Sequence, residues 1–249
     1  GLQSANDGER RILGRRAGKS EVQSVVSRAK KAGINNISLD VMLGVPGQTK
    51  ESLKSTLDFC ISSGVPHLSC YILKIEENTP FFRMRDKLPF PSDDDTADMY
   101  LFMCEYLEEH GIMQYEISNF AVPGFESRHN LKYWHDEEYL GIGASAHSFL
   151  GGKRTYYPRD IEYFISGNER LTEGDGGDEE EFCMLALRLR EGLTQERFYA
   201  RFHHEIPQKM LESAKQYEKY GLCSCESGGI FLTRRGFLLS NSVISEIIL

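Results

Sequence analysis

Strands and helices alternate in the first part of this chain, and this alternation constrains the fold more than any other feature of the sequence. Residues 20–33 carry apolar side chains at helical spacing, and the short apolar run 37–43 then predicts a buried strand. Thr49 begins a second predicted helix that ends near Gly64, and residues 68–73 form the next predicted strand. Two successive βα units predict a parallel sheet, as in part of a (β/α) barrel.

The same alternation continues toward the middle of the chain. Ser20 and Gln23 have the spacing of a capping box at the start of the first predicted helix. Ser92 is the predicted N-cap of a third helix, which ends at His110, and residues 115–120 are predicted as one more strand. The sheet therefore continues beyond the first two βα units.

A polar segment at residues 173–178 is predicted to be a linker between two domains. The first domain, residues 1–172, would be the barrel part, and the second would cover residues 178–249. The second domain has three predicted helices, a hairpin within residues 222–231 and a last helix that begins at Thr233. The predicted fold class is α/β: a partial (β/α) barrel followed by a helical, winged-helix-like domain.

The charge of the chain argues against nucleic acid as a partner, although winged-helix modules often bind DNA. Residues 178–249 carry nine Lys and Arg against eleven Asp and Glu, and the whole chain has a net charge of −8. A DNA-binding domain should carry a basic face. The chain also has no apolar run near the ~20 residues that span a bilayer, so no integral membrane segment is predicted.

The cysteines and the first residues predict a cytoplasmic protein. The six cysteines are scattered among apolar neighbours in a sizeable chain, which is typical of reduced, buried thiols. The first residues are neither basic nor followed by an apolar stretch, so they do not predict a signal peptide.

Imidazole and indole side chains are concentrated between residues 129 and 148. This stretch holds the only tryptophan, Trp134, and three of the seven histidines, His129, His135 and His147. Imidazole binds metals and handles protons, and indole is a large flat apolar surface. The combination predicts a site for a flat, metal-bearing ligand, although a well-packed loop with surface histidines is the alternative.

Asp40 is a second candidate because it lies inside an apolar predicted strand. A buried carboxylate without a partner costs several kcal/mol, so Asp40 should meet either a ligand or a neighbouring arginine. In a (β/α) barrel the ligand site lies at the C-terminal ends of the strands, and Gln3 and Arg15 could reach the same end of the barrel.

Four segments taken in order resemble one known family. They are residues 1–4, residues 39–49, residues 115–121 and the HNLKYW run at 129–134. Together they resemble the radical S-adenosylmethionine family of oxygen-independent coproporphyrinogen III oxidases, and most of all its haem chaperone branch. The resemblance covers nearly the whole chain and implies a partial (β/α) barrel with a C-terminal helical module.

The resemblance implies two sets of binding residues. The oxidases contact S-adenosylmethionine through a Gln, an Arg and an Asp, and these positions fall on Gln3, Arg15 and Asp40. Two further positions fall on Lys74 and His147, which are not the residue types that the oxidases use there.

The chaperone branch is associated with an HNxxYW motif, which this chain matches in full. His129 would be the axial ligand of haem iron, and Asn130 would orient its imidazole through a hydrogen bond. Tyr133 and Trp134 would pack on the macrocycle.

One departure from the family concerns the Cys-x3-Cys-x2-Cys run that holds a [4Fe–4S] cluster. This run is absent from the 249 residues, so the cluster is expected only in a longer parent that supplies earlier βα units. Alone, the chain is expected to be inactive in reductive cleavage of S-adenosylmethionine.

Two functions stay open from the sequence. The first is a haem chaperone that binds haem and delivers it to acceptor proteins. The alternative is an oxygen-independent coproporphyrinogen III oxidase, a S-adenosylmethionine-dependent enzyme of porphyrin biosynthesis. A homodimer also stays open.

Overall fold

The computed structural model of the chain describes residues 1–248, which form two compact units. Unit 1 is Gly1–Glu126, and unit 2 begins at Ser127. This division differs from the predicted domains 1–172 and 178–249, which stay predictions. None of the helices in the described part has both the length and the apolar character needed to cross a lipid bilayer.

Unit 1 combines helices with a mixed sheet. Its helices are α1 Asp7–Ile12, α2 Lys19–Lys31, α3 Lys50–Ser62, α4 Pro80–Met84 and α5 Asp93–Glu109, with a 3-10 turn at Arg85–Lys87. Its strands are β1 Ser38–Leu43, β2 His67–Ile72, β3 Met113–Gln114 and β4 Asn119–Ala121. The strand order is β1-β2-β4-β3.

The first two strands confirm the predicted βα alternation. β1 and β2 are parallel and in register, with Asp40 opposite Ser69, and β4 runs antiparallel to β2. Gln3 adds a parallel bridge to Val41 on the other side of β1. The sheet is therefore parallel where the predicted strands lie and turns antiparallel at β4.

The two faces of this sheet differ in polarity. Alternate side chains of a strand point to opposite faces. Leu39, Val41 and Leu43 are buried on one face, where α3 and α5 contact β1. Their neighbours Ser38 and Asp40 lie on the opposite face, which is called the polar face below.

Helix caps explain where three of the predicted helices begin. The hydroxyls of Thr49, Ser92 and Thr233 each accept a hydrogen bond from a backbone N–H in the first turn of the helix that follows. The predicted capping box at Ser20 is wrong: the N-cap is Gly18, whose N–H donates to the Glu21 carboxylate over 2.9 Å. A carboxylate in the first turn of a helix also interacts favourably with the positive end of the helix dipole.

Unit 2 contains a three-stranded antiparallel sheet, a short hairpin and several helices. The sheet strands are β5 His147–Leu150, β6 Lys153–Tyr156 and β7 Leu171–Asp175, and the hairpin strands are β8 Cys223–Ser224 and β9 Phe231–Leu232. The helices are α6 Arg128–Trp134, α7 Ile161–Ile165, α8 Glu179–Ala186, α9 Gln195–Phe202, α10 Gln208–Glu218, α11 Arg234–Leu238 and α12 Ser240–Ile248. The hairpin and the helix that begins after Thr233 confirm those predictions.

Two predicted segments differ from the structure. Residues 171–175 form β7 and pair with β6, so the segment 173–178 is not simply a linker. Of the predicted strand 115–120, only Asn119 and Phe120 lie in a strand, β4; residues 115–118 form the irregular turn that joins β4 to β3, its antiparallel partner. In both places the strands are short, and pairing with another strand, rather than a local apolar pattern, determines where they form.

Candidate functional site

The polar face of the unit 1 sheet brings together several predicted and unpredicted polar residues. Asp40 is opposite Ser69, and Ser69 is opposite Asn119, so one row of three polar side chains crosses β1, β2 and β4. Side chains directly opposite in a sheet share a face. Since adjacent strands lie about 4.8 Å apart, the row is roughly 10 Å long.

Gln3 lies beside this row and is held on three sides. Its N–H donates to the Asp40 carbonyl over 2.7 Å, and its own carbonyl accepts from Met42 N–H over 2.8 Å. The Tyr71 hydroxyl donates to Gln3 Oε1 over 2.8 Å. The residue is only 2% exposed and has a φ of +67°, an uncommon backbone conformation for a non-glycine residue. Gln3 is thus a firmly positioned side chain at the carboxyl ends of β1 and β2.

Asp40 is open to solvent, contrary to the premise of the sequence argument. Its side chain is 39% exposed, so it does not require a buried partner. Its Oδ2 atom lies 3.8 Å from the amino group of Gly1, and no arginine forms an ion pair with it within residues 1–248. The structure therefore leaves Asp40 as an accessible acceptor beside Gln3.

Asn119 is a polar-face residue that the sequence analysis did not single out. It is 8% exposed, and its Oδ1 atom is buried with no hydrogen-bond partner within the described chain. The available signal was an amide inside a predicted strand, the same kind of signal that drew attention to Asp40.

A hydrogen-bonded histidine lies at the amino end of the same strands. The Ser38 hydroxyl lies 2.8 Å from His67 Nδ1, and the Tyr115 hydroxyl lies 2.8 Å from His67 Nε2. Burial lowers the pKa of His67 below its usual 6.5, against the opposing effects of Asp40 and Glu126. His67 is therefore a neutral, fully hydrogen-bonded residue at pH 7.

Two of the predicted S-adenosylmethionine residues in unit 1, Arg15 and Lys74, are not joined to Gln3 and Asp40 by hydrogen bonds or ion pairs within the described residues, and a third, His147, lies in unit 2. Arg15 is exposed after α1, and its N–H donates to the Arg10 carbonyl. Lys74 is 83% exposed and forms an ion pair with Glu76. His147 belongs to unit 2, where its Nδ1 lies 3.1 Å from a Glu173 oxygen.

In unit 2, the HNLKYW run forms the short helix α6, and its histidine is accessible. His129 Nε2 lies 2.9 Å from the Tyr133 hydroxyl, one helical turn further along. The two rings meet edge to face with centroids 4.9 Å apart, and Tyr133 meets Tyr139 in the same way. The imidazole is thus oriented by Tyr133.

The predicted hydrogen bond from Asn130 to this imidazole does not occur within the described residues. Asn130 instead takes part in the helix cap, where its backbone N–H donates to the Ser127 hydroxyl over 3.3 Å. Residues four apart face each other on a helix, whereas adjacent residues do not. This spacing explains why Tyr133, and not Asn130, reaches the ring of His129.

Trp134 lies half-buried at the end of α6. The guanidinium of Arg188 is 5.9 Å from the centre of its indole ring, at the outer limit of a cation–π contact. Part of the apolar surface of the indole is therefore exposed on α6, the helix that also carries His129.

A buried carboxylate fixes the chain directly after α6. The Asp136 side chain is 0% exposed, and its oxygens lie 2.6 Å from Arg201 Nη2 and 3.3 Å from Arg154 Nη2. Arg154 also contacts Glu181 at 2.5 Å. Burial raises the pKa of Asp136, and Arg201 opposes that effect. This charge cluster ties α6 to β6, α8 and α9.

The described residues contain no group of three or more His, Cys, Asp or Glu side chains placed to hold a metal ion. All six cysteines are free thiols, and only Cys225 is not buried. Neither the cysteine spacing nor their placement provides a cluster site on this part of the chain.

Comparison with known proteins gives consistent matches over most of the chain. The family model described as HemN C-terminal domain matches residues 179–239. The heme chaperone HemW of Bacillus subtilis (strain 168) is 34% identical over 98% of this chain and 67% of that protein. The heme chaperone HemW of Lactococcus lactis subsp. lactis is also 34% identical, over 100% of this chain and 68% of that protein. The chain thus spans about two thirds of the length of these relatives.

A solved structure shares the fold. Coproporphyrinogen III oxidase (HemN) from Escherichia coli, described as a radical SAM enzyme, superposes with a TM-score of 0.77 and 18% sequence identity. The superposition covers 98% of this chain and 62% of that structure's chain. The mixed α/β architecture of this chain is therefore that of HemN over the matched length.

Proposed function

This chain belongs to the HemW haem chaperone family, and from that premise we propose that it binds haem and delivers it to acceptor proteins. The relatives carry the name heme chaperone, and the HNxxYW motif is complete in this chain. Haem is the cargo in this proposal rather than a resident cofactor.

The observation that carries the proposal is the accessibility of His129 on α6. Within residues 1–248 the hydrogen-bond partner of its Nε2 is a tyrosine hydroxyl, at 2.9 Å, and the residue is exposed. A hydrogen bond between neutral groups contributes about 1 kcal/mol net, so an iron–nitrogen bond can replace it readily. In the proposal His129 is the axial ligand, and Tyr133 and Trp134 supply aromatic surface for the macrocycle.

S-adenosylmethionine is the second proposed ligand, and unit 1 would hold it. Gln3 and Asp40 are adjacent on the polar face, the first rigid and the second exposed. The buried, unpaired oxygen of Asn119 in the same row fits a polar ligand on this face. Arg15, Lys74 and His147 are proposed to contact it only on the strength of the family resemblance.

Bound together with an iron–sulfur cluster, S-adenosylmethionine supplies the radical chemistry of this enzyme class. The cysteines present do not fit a cluster, so no residue of this chain is assigned to it, and the [4Fe–4S] cluster is proposed only for a longer parent. The role of this chain's own residues is to hold and orient the ligand.

The finer fold and the setting of the protein are also proposed. A partial (β/α) barrel is supported by the parallel arrangement of Gln3, β1 and β2, with α3 connecting the two strands. A winged-helix-like domain is supported by helices α8 to α12 and the β8–β9 hairpin. Free, mostly buried cysteines support a cytoplasmic location. A homodimer and haem-acceptor proteins are the proposed protein partners, and nucleic acid is not.

A haemin titration followed in the Soret band tests the haem proposal. The wild-type chain should bind haemin saturably in a one-to-one ratio, and His129→Ala should weaken binding at least tenfold because the iron loses its ligand. His110→Ala removes an exposed histidine of unit 1 and should bind like the wild type.

Equal binding by wild type and His129→Ala would remove His129 from the ligand role. No binding by folded wild-type protein would favour the alternative of an oxygen-independent coproporphyrinogen III oxidase, which uses porphyrinogen instead.

A further inference from the structure

Asn119 Oδ1 is one of five buried side-chain atoms of the described residues that have no hydrogen-bond partner. The residue is 8% exposed, and Oδ1 is buried without a hydrogen-bond partner within the described chain. Leaving a buried acceptor unpaired costs free energy, because the group loses water and gains nothing in return. Such groups in folded proteins often mark a ligand or a functional constraint.

The position of Asn119 indicates which ligand site it serves. Its register partner on β2 is Ser69, whose own register partner on β1 is Asp40. The apolar face of the same strands is occupied by Phe120 and Leu68, which are opposite each other and fully buried. Asn119 therefore shares the polar face, and the row, with the Asp40 carboxylate.

The other groups in this row do not supply the missing partner. The Ser69 hydroxyl lies 3.4 Å from the Ser38 hydroxyl and has no hydrogen bond to Asn119 within the described residues. The Gln3 amide group does not donate a hydrogen bond to Asn119 Oδ1 within the described residues either. No side chain of this row therefore donates a hydrogen bond to Asn119 Oδ1, and a bound ligand could supply the missing donor.

We propose that Asn119 is a further binding residue for S-adenosylmethionine, acting in one row with Asp40 across the polar face. This inference rests on the proposed function, which places that ligand on the same face. The carboxylate of Asp40 and the carbonyl oxygen of Asn119 both accept hydrogen bonds, so the row favours a ligand with several hydroxyl or amino donors. A nucleoside with a ribose and an amino acid group has such donors and matches a row of roughly 10 Å.

The test combines ligand binding with thermal unfolding, because the two readouts should move in opposite directions. Asn119→Leu keeps the size of the side chain and removes the unpaired oxygen. The dissociation constant for S-adenosylmethionine, measured by isothermal titration calorimetry, should rise at least tenfold as the ligand loses a hydrogen-bond partner. The midpoint of thermal unfolding without ligand should rise by about 2–4 °C, since a buried unpaired group is gone.

Asn36→Leu is the matched control, since Asn36 is exposed next to β1. It should leave the affinity for S-adenosylmethionine unchanged. Equal affinity in wild type and Asn119→Leu would overturn the role of Asn119 while leaving the proposed site on this face intact. A lower unfolding midpoint for Asn119→Leu would also overturn it, because the amide would then have a structural partner. No binding by the wild-type chain would instead overturn the proposed S-adenosylmethionine site itself.

Discussion

The polar face of unit 1 and the helix α6 of unit 2 hold their polar groups in opposite ways. On the polar face, Gln3 is rigid and buried, yet Asn119 is left without a partner and Asp40 faces solvent. Around α6 the deeply buried charge of Asp136 is fully paired by two arginines, while His129 is exposed. Strand pairing positions Asp40 and Asn119 on the polar face, whereas the buried charge cluster around Asp136 anchors the helix that carries His129.

This difference matters for how each site would meet its ligand. A rigid face with an unpaired group is preorganised, so a ligand that pairs it pays little ordering cost. An exposed histidine on a short helix can exchange its partner, which suits a cargo that must be released. In the proposed function, the polar face would be the fixed site and His129 the exchangeable one.

Asp136→Asn should have the largest effect, because it breaks the support of α6. Asparagine tolerates the left-handed backbone of this residue, where φ is +52°, so the change isolates the charge. Removing one side of a buried ion-pair cluster should lower the free energy of unfolding of unit 2 by about 3 kcal/mol. Urea unfolding followed by the fluorescence of Trp134, the only tryptophan, reports on α6 directly.

The control for this prediction is Asp175→Asn. Asp175 is 80% exposed and pairs with Lys153 at the surface, so its loss should cost under about 1 kcal/mol. Similar losses for both variants would mean that the cluster at Asp136 does not anchor α6.

Arg10→Leu should raise the stability of unit 1, whereas Asp136→Asn lowers the stability of unit 2. Arg10 lies in α1, is 3% exposed, and its Nη1 is buried without a hydrogen-bond partner in the described chain. Replacing it with leucine should raise the free energy of unfolding by about 1–3 kcal/mol. Hydrogen exchange of the unit 1 amides measures this change.

Arg11→Leu is the neighbouring control, since Arg11 is exposed on the same helix. A gain confined to Arg10→Leu would sharpen the contrast between the unpaired Arg10 Nη1 of unit 1 and the paired Asp136 carboxylate of unit 2. A loss on Arg10→Leu would show that the guanidinium has a stabilising partner.

Tyr133→Phe should have the smallest effect, and it probes how exchangeable the His129 site is. The phenyl ring keeps the edge-to-face contacts and loses only the hydroxyl that lies 2.9 Å from His129 Nε2. Haemin should then bind up to about fivefold more tightly, because no hydrogen bond has to be broken first. Tyr220→Phe, at a tyrosine that is 74% exposed, should leave the affinity unchanged. Weaker binding by Tyr133→Phe would mean that the hydroxyl stabilises the bound haem.

The sequence predicts the βα part of the fold well because apolar periodicity and caps act locally. Thr49 and Ser92 are at the starts of helices as expected, since a hydroxyl before a helix satisfies free N–H groups. The antiparallel sheet of β5, β6 and β7 was not predicted. Its strands are short and partly exposed, and pairing between distant segments holds them, which no local pattern reports.

The candidate site is predictable only in part for the same reason. Asp40 attracts attention as a charge in an apolar strand, and Gln3 follows from the family resemblance. Asn119 joins them only through the register of three strands that are far apart in sequence. The contact between Tyr133 and His129 could have been read from their spacing of four residues on a helix.

The free thiols bear on how the chain would withstand the oxidants that accompany redox-active iron. Only the thiolate form of cysteine is readily oxidised. Burial raises the pKa of Cys60 to about 12, and it does the same for Cys183 and Cys223. These sulfurs therefore stay protonated and shielded, and the less buried Cys225 is the thiol that an oxidant from solvent meets first.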